Sequence, residues 1–238
     1  MKELISSGLE ALGLTGSVPP DAAEKLAEYG RLLLEKNQVM NLTAIRDEAG
    51  VARLHMLDCA ALLPCADFSQ AHTLLDVGTG AGFPGLPLKI LLPQLDVTLL
   101  DSLNKRVDWL NEVSAQLGLT DVRAIQGRAE EKALEKSMRD SFDLVTARAV
   151  ADLRLLSELC LPFVKVGGRF LSMKSVDSDQ ELDQAAHAIK LLGGRVRDVK
   201  DYAIPGTEVT HPLVIVEKVA PTLKGYPRRW AKIQKAPL

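Results

Sequence analysis

The stretch from residue 74 to residue 87, which reads LLDVGTGAGFPGLP, constrains the fold of this chain more than any other. The aliphatic residues around Asp76 are typical of a short, buried parallel strand. Three glycines follow at alternate positions: Gly78, Gly80 and Gly82. Glycine lets a backbone turn sharply and approach a ligand closely, and the pattern LPLKILL that comes next favours a helix. A strand, a glycine-rich turn and a helix in this order indicate a nucleotide-cofactor site.

Two residues of this turn help to separate the cofactors that such a site could hold. The spacing of Gly80, Gly82 and Gly85 also matches the pattern of NAD-binding folds, but a glycine match alone is weak. Pro84 has no backbone N–H to offer to a pyrophosphate, and Asp76 would place a carboxylate beside one. Both residues suit a cationic ligand without phosphate. The sequence therefore favours S-adenosyl-L-methionine, and an NAD oxidoreductase is the alternative.

From Thr73 onward, apolar strand patterns alternate with helical ones. This alternation predicts a doubly wound, mostly parallel sheet of the α/β class. The predicted strands after the first are 97–100, 122–125, 142–147, 169–173, 195–203 and 211–218. The last two are expected to form an antiparallel pair, and residues 178–192 are expected to form a helix before them.

Composition and pattern divide the chain into three parts. Residues 1–66 form a predicted N-terminal helical extension, 67–219 the cofactor-binding domain and 220–238 a basic C-terminal tail. The segment 218–238 holds six basic and no acidic residues, whereas the other 217 residues hold 23 basic and 31 acidic ones. A basic tail on an acidic body indicates contact with a polyanion, and a solvated tail that binds nothing is the alternative.

Two helices of the predicted extension bear on the site. One is expected to begin near Asp21 and to fray at Asn37. The next runs over 51–61 and carries His55 and Asp58, which lie three residues apart and therefore share a face. The pair could touch a ligand or form only a surface hydrogen bond.

Charged residues follow three further strands of the predicted sheet. Asp101 ends the second strand, where a carboxylate can accept hydrogen bonds from both ribose hydroxyls of an adenosine. Glu130 follows the third strand, although a carboxylate there could simply favour a helix start. Arg148 ends the fourth strand, where it could hold the carboxylate of the cofactor or the substrate, or else pair with Asp76 or Asp152.

Other features exclude several classes of protein. No apolar run reaches the length of a membrane span, and the N-terminal MKELISSGLEALG is typical of an amphipathic helix and not of a signal peptide. The three cysteines are odd in number and the four histidines lack metal-ligand spacing. We expect a cytoplasmic monomer with reduced thiols, without a metal ion and without a membrane partner.

Short motifs occur in order over nearly the whole length: Asn41-Leu42-Thr43-Ala44-Ile45, His55-Met56-Leu57-Asp58, Asp76-Val77-Gly78, Gly82-Phe83-Pro84-Gly85, Arg128-Ala129-Glu130, Arg148-Ala149 and Tyr226-Pro227-Arg228-Arg229. Together they resemble the bacterial small-subunit rRNA guanine-N7 methyltransferases, also called glucose-inhibited division protein B. The resemblance implies the Rossmann-like fold of class I S-adenosylmethionine-dependent methyltransferases, with a seven-stranded sheet. It also implies methylation of a guanine N7 in the decoding-region loop of 16S rRNA, presented as naked RNA, as the 30S subunit or as an assembly intermediate.

The resemblance also implies which residues contact the cofactor: Gly78, Phe83, Ala129, Glu130 and Arg148. The turn and the strand ends add Asp76, Gly80 and Asp101 as candidate cofactor contacts. Four positions depart from the family pattern: Cys59, Ser175, Ala231 and Ile233.

The expected mechanism needs no general base, because the lone pair of guanine N7 is free at neutral pH. Catalysis is then alignment of the reacting atoms within a polar pocket. Arg148 and Lys174 are expected near guanine O6 or an RNA phosphate, with Asn41 as the third catalytic candidate. The candidate RNA contacts are His55 and Asp58 at the opening and Tyr226, Arg228 and Arg229 in the tail.

A truncation at Ala220 is expected to weaken RNA binding and to leave S-adenosylmethionine binding unchanged.

Two further classes of protein remain alternatives. A small-molecule methyltransferase would leave the basic tail without a role, and a non-catalytic RNA-binding module would leave the glycine-rich turn without one.

Overall fold

Within residues 1–148, 152–174 and 179–238, which the computed structural model describes, seven strands form one sheet in the order β3-β2-β1-β4-β5-β7-β6. The strands are β1 (Thr73–Val77), β2 (Asp96–Asp101), β3 (Val122–Gln126), β4 (Phe142–Arg148), β5 (Val164–Met173), β6 (Gly194–Ala203) and β7 (Thr210–Lys218). The pairings among β1 to β5 are parallel, and β7 runs antiparallel to both β5 and β6. The predicted parallel sheet with an antiparallel pair at its end is confirmed.

Helices cover both faces of this sheet: α1 (Lys2–Ala11), α2 (Ala22–Met40), α3 (Glu48–Val51), α4 (Asp58–Ala60), α5 (Gly85–Leu91), α6 (Asn104–Gln116), α7 (Ala129–Lys132), α8 (Leu153–Cys160), α9 (Asp179–Leu191) and α10 (Trp230–Lys235). A π-helical segment (Ala52–Leu57) joins α3 to α4, and a 3₁₀ turn (Leu161–Phe163) follows α8. Ala149 and Ser175 lie outside the described residues, as does Ser178, where the helix over 178–192 was expected to begin. None of the helices in the described part of the chain combines the length and the apolar character that a membrane span requires.

Two hydrophobic cores lie on opposite faces of the sheet. Successive strand residues point to opposite faces, so Leu74 belongs to one core and Leu75 to the other. The first core also contains Leu26 of α2, and it therefore continues across the predicted boundary at residue 66. The second core contains Ile233 of α10, which is fully buried. The division at residue 66 remains a prediction, while the tail is packed against the sheet.

The end of α2 differs from the sequence expectation in a way that shapes the site. The helix does not fray at Asn37 but continues to Met40, and Asn41 closes it with a left-handed φ of 51°. The Asn37 side chain accepts hydrogen bonds from the backbone N–H groups of Leu42 and Thr43, at 2.7 and 3.0 Å. These bonds fold the loop after α2 back toward the sheet.

Candidate active site

The glycine-rich turn after β1 is attached to the neighbouring strand. The N–H groups of Gly78 and Thr79 both donate to the carbonyl of Leu100 in β2, at 2.9 and 3.1 Å. Gly82 has a φ of +99°, and a Cβ there would lie 2.7 Å from the hydroxyl oxygen of Tyr29. That hydroxyl donates to the carbonyl of Ala81. A helix of the N-terminal region therefore holds the turn in its conformation.

Asp76 shapes this turn from inside the protein. Its side chain is fully buried and accepts hydrogen bonds from the hydroxyls of Thr79 and Thr146, at 2.6 and 3.0 Å, and from the N–H of Gly85, at 3.0 Å. Burial raises the pKa of the carboxyl, although these hydrogen bonds oppose the shift. Because both oxygens are engaged and buried, the expected direct contact with a cofactor is not supported. We correct the role of Asp76 to that of a residue that orders the turn.

A cavity of about 260 Å³ opens beside the turn, at the carboxyl ends of β1, β2 and β3. Its apolar lining comes from several parts of the chain: Val77, Leu100, Ala129, Leu159 and Trp230. Its polar lining comes from the strand ends: Gly78, Asp101, Ser102, Arg106, Gly127, Arg128 and Glu130. The carboxyl end of a parallel sheet is where ligands bind in folds of this type.

Two carboxylates lie beside this cavity, Asp101 at the end of β2 and Glu130 in α7, which follows β3. Asp101 accepts hydrogen bonds from the N–H groups of Gly80, at 2.9 Å, and Leu103, at 2.9 Å. Glu130 is buried beside the cavity and accepts a hydrogen bond from Arg128 Nε at 2.6 Å. Asp101 Oδ2 also accepts a hydrogen bond from Arg106 Nη1 at 3.4 Å. The lone pairs that can still accept from a ligand hydroxyl are therefore on Asp101 Oδ1 and on the Glu130 carboxylate. The structure thus brings Gly78, Asp101, Ala129 and Glu130 to one cavity, and their contacts to a cofactor stay predictions.

Arg148 forms the centre of a second cluster at the same edge of the sheet. Its Nη1 donates to Asp58 Oδ2 at 3.1 Å and to the carbonyl of Leu54 at 3.3 Å, while Nη2 lies 3.1 Å from His55 Nδ1. Its guanidinium carbon lies 4.7 Å from the centroid of the Phe83 ring. The partner carboxylate is therefore Asp58, 90 residues away, and the alternative pairings with Asp76 or Asp152 are wrong. Its side chain remains 18 % exposed, so one edge of it can reach a substrate.

The protonation of His55 follows from its partners. A guanidinium only donates hydrogen bonds, so Nδ1 must accept and Nε2–H must donate to Thr43 Oγ1, 2.7 Å away. Burial, together with the charge of Arg148, lowers the pKa of His55 to about 3. The Phe83 ring stacks on the imidazole with 4.5 Å between the ring centroids. The Phe83 ring thus packs against His55 and Arg148, and any contact that Phe83 makes to a cofactor would come from its backbone.

Asp58 joins three distant parts of the chain. Besides Arg148, it accepts a hydrogen bond from the hydroxyl of Tyr202 at 2.9 Å and lies 3.0 Å from His211 Nδ1. Burial by itself would raise the pKa of this carboxyl, but His211, Arg148 and Tyr202 bring it below its ordinary value. Asp58 and His55 are both buried. Burial does not support their expected position at an RNA-facing opening, which stays a prediction, and in the structure both side chains hold Arg148.

The other two catalytic candidates flank the Arg148 cluster. Lys174 follows the last residue of β5, whose neighbour across the sheet is Arg148, and its Nζ lies 2.6 Å from Glu181 Oε2. Asn41 is exposed on the loop that leads to Thr43. Through Thr43 and His55, that loop is connected to Arg148 by hydrogen bonds.

The basic tail is only partly available to a partner. Arg228 Nε lies 2.8 Å from Glu158 Oε1 and Nη2 lies 2.6 Å from Oε2, and Glu158 is fully buried. Lys218 is also fully buried and forms an ion pair with Asp140 at 2.7 Å. The expected RNA contact through Arg228 stays a prediction, and its ion pair with Glu158 does not support it. Four cations of the tail remain exposed: Lys224, Arg229, Lys232 and Lys235.

Tyr226 is half-buried against the second core, and its carbonyl accepts a hydrogen bond from Arg139 Nη1 at 2.8 Å. Arg229 is thus the one member of the three tail candidates with an exposed side chain. Because Trp230 lines the cavity, a truncation at Ala220 would remove part of the cavity wall. We therefore withdraw the expectation that such a truncation spares the cofactor.

Sequence reasoning missed several residues of the site, namely Tyr29, Thr43, Leu159, Tyr202, His211 and Trp230. Thr43 belongs to the motif that begins at Asn41, but only Asn41 was singled out from it. Tyr29, Leu159, Tyr202 and His211 carried no local signal, because their roles depend on contacts between distant elements. Trp230 carried one signal, a large aromatic residue in an otherwise polar and basic segment. Among the described residues, no group of His, Cys, Asp and Glu side chains could hold a metal ion.

The chain is similar to known proteins in both sequence and structure. The family model described as rRNA small subunit methyltransferase G matches residues 22–209. The chain is 45% identical over 236 residues to a protein of Clostridium beijerinckii named ribosomal RNA small subunit methyltransferase G, covering 99% of this chain and 98% of that one. It is 44% identical over 237 residues to a protein of the same name from Alkaliphilus metalliredigens, covering 100% of this chain and 98% of that one.

Two solved structures illustrate the likeness in fold. TrmN from Thermus thermophilus matches with a TM-score of 0.52 and 24% identity, over 68% of this chain and 48% of that one. A SAM-dependent methyltransferase from Aquifex aeolicus matches with a TM-score of 0.51 and 19% identity, over 68% of this chain and 91% of that one. At such identities the likeness concerns the fold alone. The chain has the Rossmann-like fold of class I S-adenosylmethionine-dependent methyltransferases.

Proposed function

Because the chain belongs to the rRNA small subunit methyltransferase G family, we propose that it methylates N7 of a guanine in the decoding-region loop of 16S rRNA. S-adenosyl-L-methionine is the proposed methyl donor. The observation that carries the proposal is the cavity at the carboxyl ends of β1, β2 and β3, which has two carboxylates and an apolar wall. A nucleoside needs this combination, because its hydroxyls donate hydrogen bonds and its base is largely apolar on its faces.

The residues of the cavity fit the adenosyl part of the cofactor. Asp101 and Glu130 would accept hydrogen bonds from polar hydrogens of the adenosine, while Leu100 and Ala129 would pack against the base. Gly78 leaves room for close approach to the backbone. The chemistry that S-adenosyl-L-methionine supplies when bound is an electrophilic methyl group on a sulfonium.

The Arg148 cluster has the properties that guanine N7 methylation requires. The N7 lone pair is free at neutral pH, so the protein has to orient the base and has no proton to remove from N7. His55 is unsuited to proton transfer, because its pKa is lowered to about 3 and both of its ring nitrogens have partners. In our proposal the exposed edge of Arg148 donates to guanine O6 or to an RNA phosphate. Asn41 and Lys174 flank it and bind the RNA backbone around the target base.

The exposed cations Lys224, Arg229, Lys232 and Lys235 are proposed to bind phosphates of the RNA.

Cys59 and Cys160 are buried, and burial raises the pKa of both thiols, which suits a protein with reduced cysteines in the cytoplasm. We also propose that the enzyme acts as a monomer, which sedimentation velocity would test directly.

The test is methyl transfer from labelled S-adenosylmethionine to ribosomal particles from cells that lack this enzyme. We expect label to arrive as 7-methylguanine in 16S rRNA, at a position that nucleotide mapping identifies. Naked 16S rRNA and 30S subunits, compared side by side, separate the substrate forms. Arg148→Ala is the matched variant and should reduce the rate strongly. Tight cofactor binding with no label in any rRNA would contradict the proposed substrate.

A further inference from the structure

Trp230 connects the C-terminal segment to the proposed cofactor cavity. It is the first residue of α10 and lines the cavity together with Leu159 of α8. The guanidinium carbon of Arg128 lies 5.8 Å from the centroid of the indole ring. The same guanidinium binds Glu130, the carboxylate of α7 that lines the cavity. Trp230 therefore touches the site both directly and through Arg128.

The segment that carries Trp230 is anchored immediately behind the cavity. Arg228 is bound to Glu158 through its guanidinium and through its backbone N–H, which lies 2.8 Å from Glu158 Oε1. Glu158 precedes Leu159, a residue of the cavity wall. Arg139 donates to the carbonyls of Thr222 and Tyr226, at 2.9 and 2.8 Å. The contacts that hold the segment therefore lie next to Leu159 in the cavity wall.

The two faces of α10 have different surroundings. Trp230 and Ile233 are three residues apart and point inward, toward the cavity and the second core. Arg229, Lys232 and Lys235 repeat with the same spacing and are exposed. Residues spaced by three lie on one face of a helix. One face of α10 therefore meets the cavity while the other presents cations to solvent.

We propose that Trp230 forms a wall of the cofactor site and that the segment 222–238, which carries it, couples cofactor binding to RNA binding. This inference rests on the proposed function. In this proposal both ligands bind better when the segment is docked, and because coupling between two sites is reciprocal, each raises the affinity for the other by the same factor. Trp230 is in this view a cofactor-binding residue, and Glu158 is a positioning residue that acts through Arg228.

The first experiment measures the dissociation constant of S-adenosylhomocysteine by calorimetry. Trp230→Ala should raise it about tenfold, since an aromatic wall contributes roughly this much, and Trp230→Phe should raise it less. Glu158→Gln should also raise it, although Glu158 does not line the cavity. Gln234→Ala, an exposed change on the same helix, is the matched control and should leave the constant unchanged. An unchanged constant in Trp230→Ala would overturn the proposal.

The second experiment uses the unaltered protein, so a folding defect cannot affect it. Hydrogen–deuterium exchange of the peptide 222–238 is followed with and without saturating S-adenosylhomocysteine. We expect slower exchange in this peptide as well as in residues 127–132 at the cavity. Protection of 127–132 alone would overturn the coupling and leave the proposed function intact. Protection of neither region would contradict the proposed cofactor itself.

The third experiment measures coupling to RNA with a 16S rRNA fragment that contains the decoding-region loop. Saturating S-adenosylhomocysteine should raise the affinity for this fragment about fivefold in the unaltered protein, within the usual range of coupling between sites. The increase should disappear in Trp230→Ala. Equal RNA affinity with and without S-adenosylhomocysteine in the unaltered protein would contradict the proposed coupling.

Discussion

At the scale of single residues, the site depends on a guanidinium that makes three hydrogen bonds within the protein. Arg148 donates to Asp58, to the Leu54 carbonyl and to His55. A buried charge is tolerated only when it is paired and hydrogen-bonded. These partners hold the side chain in one position, and its 18 % exposed edge is then oriented before any substrate arrives.

Asp58→Asn tests the ionic part of this arrangement. The change keeps the shape of the side chain but leaves the buried charge of Arg148 without its counter-ion. We expect a loss of about 3 kcal/mol in the free energy of unfolding, measured by urea denaturation. Tyr202→Phe removes one hydrogen bond to the same carboxylate and should cost about 1 kcal/mol. Equal losses in the two variants would contradict a mainly ionic role for Asp58.

His55 makes the stability of the fold depend on pH. The pKa of His55 is about 3 in the folded state, below the ordinary 6.5 of the unfolded chain. Above pH 6.5 the imidazole is neutral in both states. As the pH falls below 6.5, the unfolded chain gains a proton that the folded chain does not, so the free energy of unfolding falls by up to about 1.4 kcal/mol per pH unit.

The measurement is urea denaturation at pH 7.5, 6.5, 5.5 and 5.0, before most carboxylates titrate. His55→Gln should flatten the dependence over this range, while the exposed His187→Gln should retain the full dependence. If His55→Gln followed the same curve as the unaltered protein, the assigned neutral state of His55 would be wrong.

At the scale of elements, the glycine-rich turn and the π-helical segment have complementary roles. The π-helical segment carries His55, and the Leu54 carbonyl within it accepts from Arg148 at 3.3 Å. Such segments are rare and frequently occur at functional sites. The turn is held against α2 by Tyr29, whose hydroxyl donates to the carbonyl of Ala81. The N-terminal helices therefore shape both halves of the site.

Gly82→Ala tests the close approach between the turn and α2. A Cβ at this position would lie 2.7 Å from the Tyr29 hydroxyl oxygen, and the φ of +99° is strained for any L side chain. We expect a loss of at least about 2 kcal/mol in unfolding free energy and weaker binding of S-adenosylhomocysteine. Gly118→Ala is the control, because its φ is +63° but a Cβ there meets nothing within 4 Å. A similar loss in both variants would show that strain alone, without the close approach, sets the effect.

At the scale of the whole molecule, the distribution of charge matters more than its total. The chain has a formal net charge of −2, yet four cations of the C-terminal segment are exposed near the cavity. Lys218 and Arg228 do not add to this group, because ion pairs with Asp140 and Glu158 hold them against the fold. The polyanion-binding surface is therefore smaller than the count of basic residues indicates.

Salt dependence of RNA binding measures this surface. The double variant Lys232→Gln/Lys235→Gln should bind a 16S rRNA fragment more weakly at low salt. The slope of log affinity against log salt should become less steep by about 1.5, as expected for two lost phosphate contacts. Lys2→Gln/Arg31→Gln, which changes cations paired to glutamates on the N-terminal helices, should leave the slope unchanged. An unchanged slope in the first variant would place the RNA elsewhere.

Much of the fold was determined by the sequence itself. Buried parallel strands are short, continuous apolar runs, so β1 to β4 could be located to within about two residues, as for the predicted 142–147 and the observed Phe142–Arg148. The glycine-rich turn also has a local cause, since three positive φ values are required within five residues, at Gly78, Gly80 and Gly82. Together with the ordered motifs, these local patterns sufficed for the sheet and the family.

Only the tertiary structure decided how the charged residues are used. Arg148 pairs with Asp58 over 90 residues, and Arg228 binds Glu158 over 70 residues. In the sequence, Glu158 and Arg228 have the pattern of ordinary surface charges, because an ion pair across such a distance leaves no local periodicity. The same holds for Trp230, which reaches the cavity only because residues 222–238 fold back onto α8. Local patterns determine elements, whereas contacts between distant elements determine which side chains are buried, paired or exposed at the site.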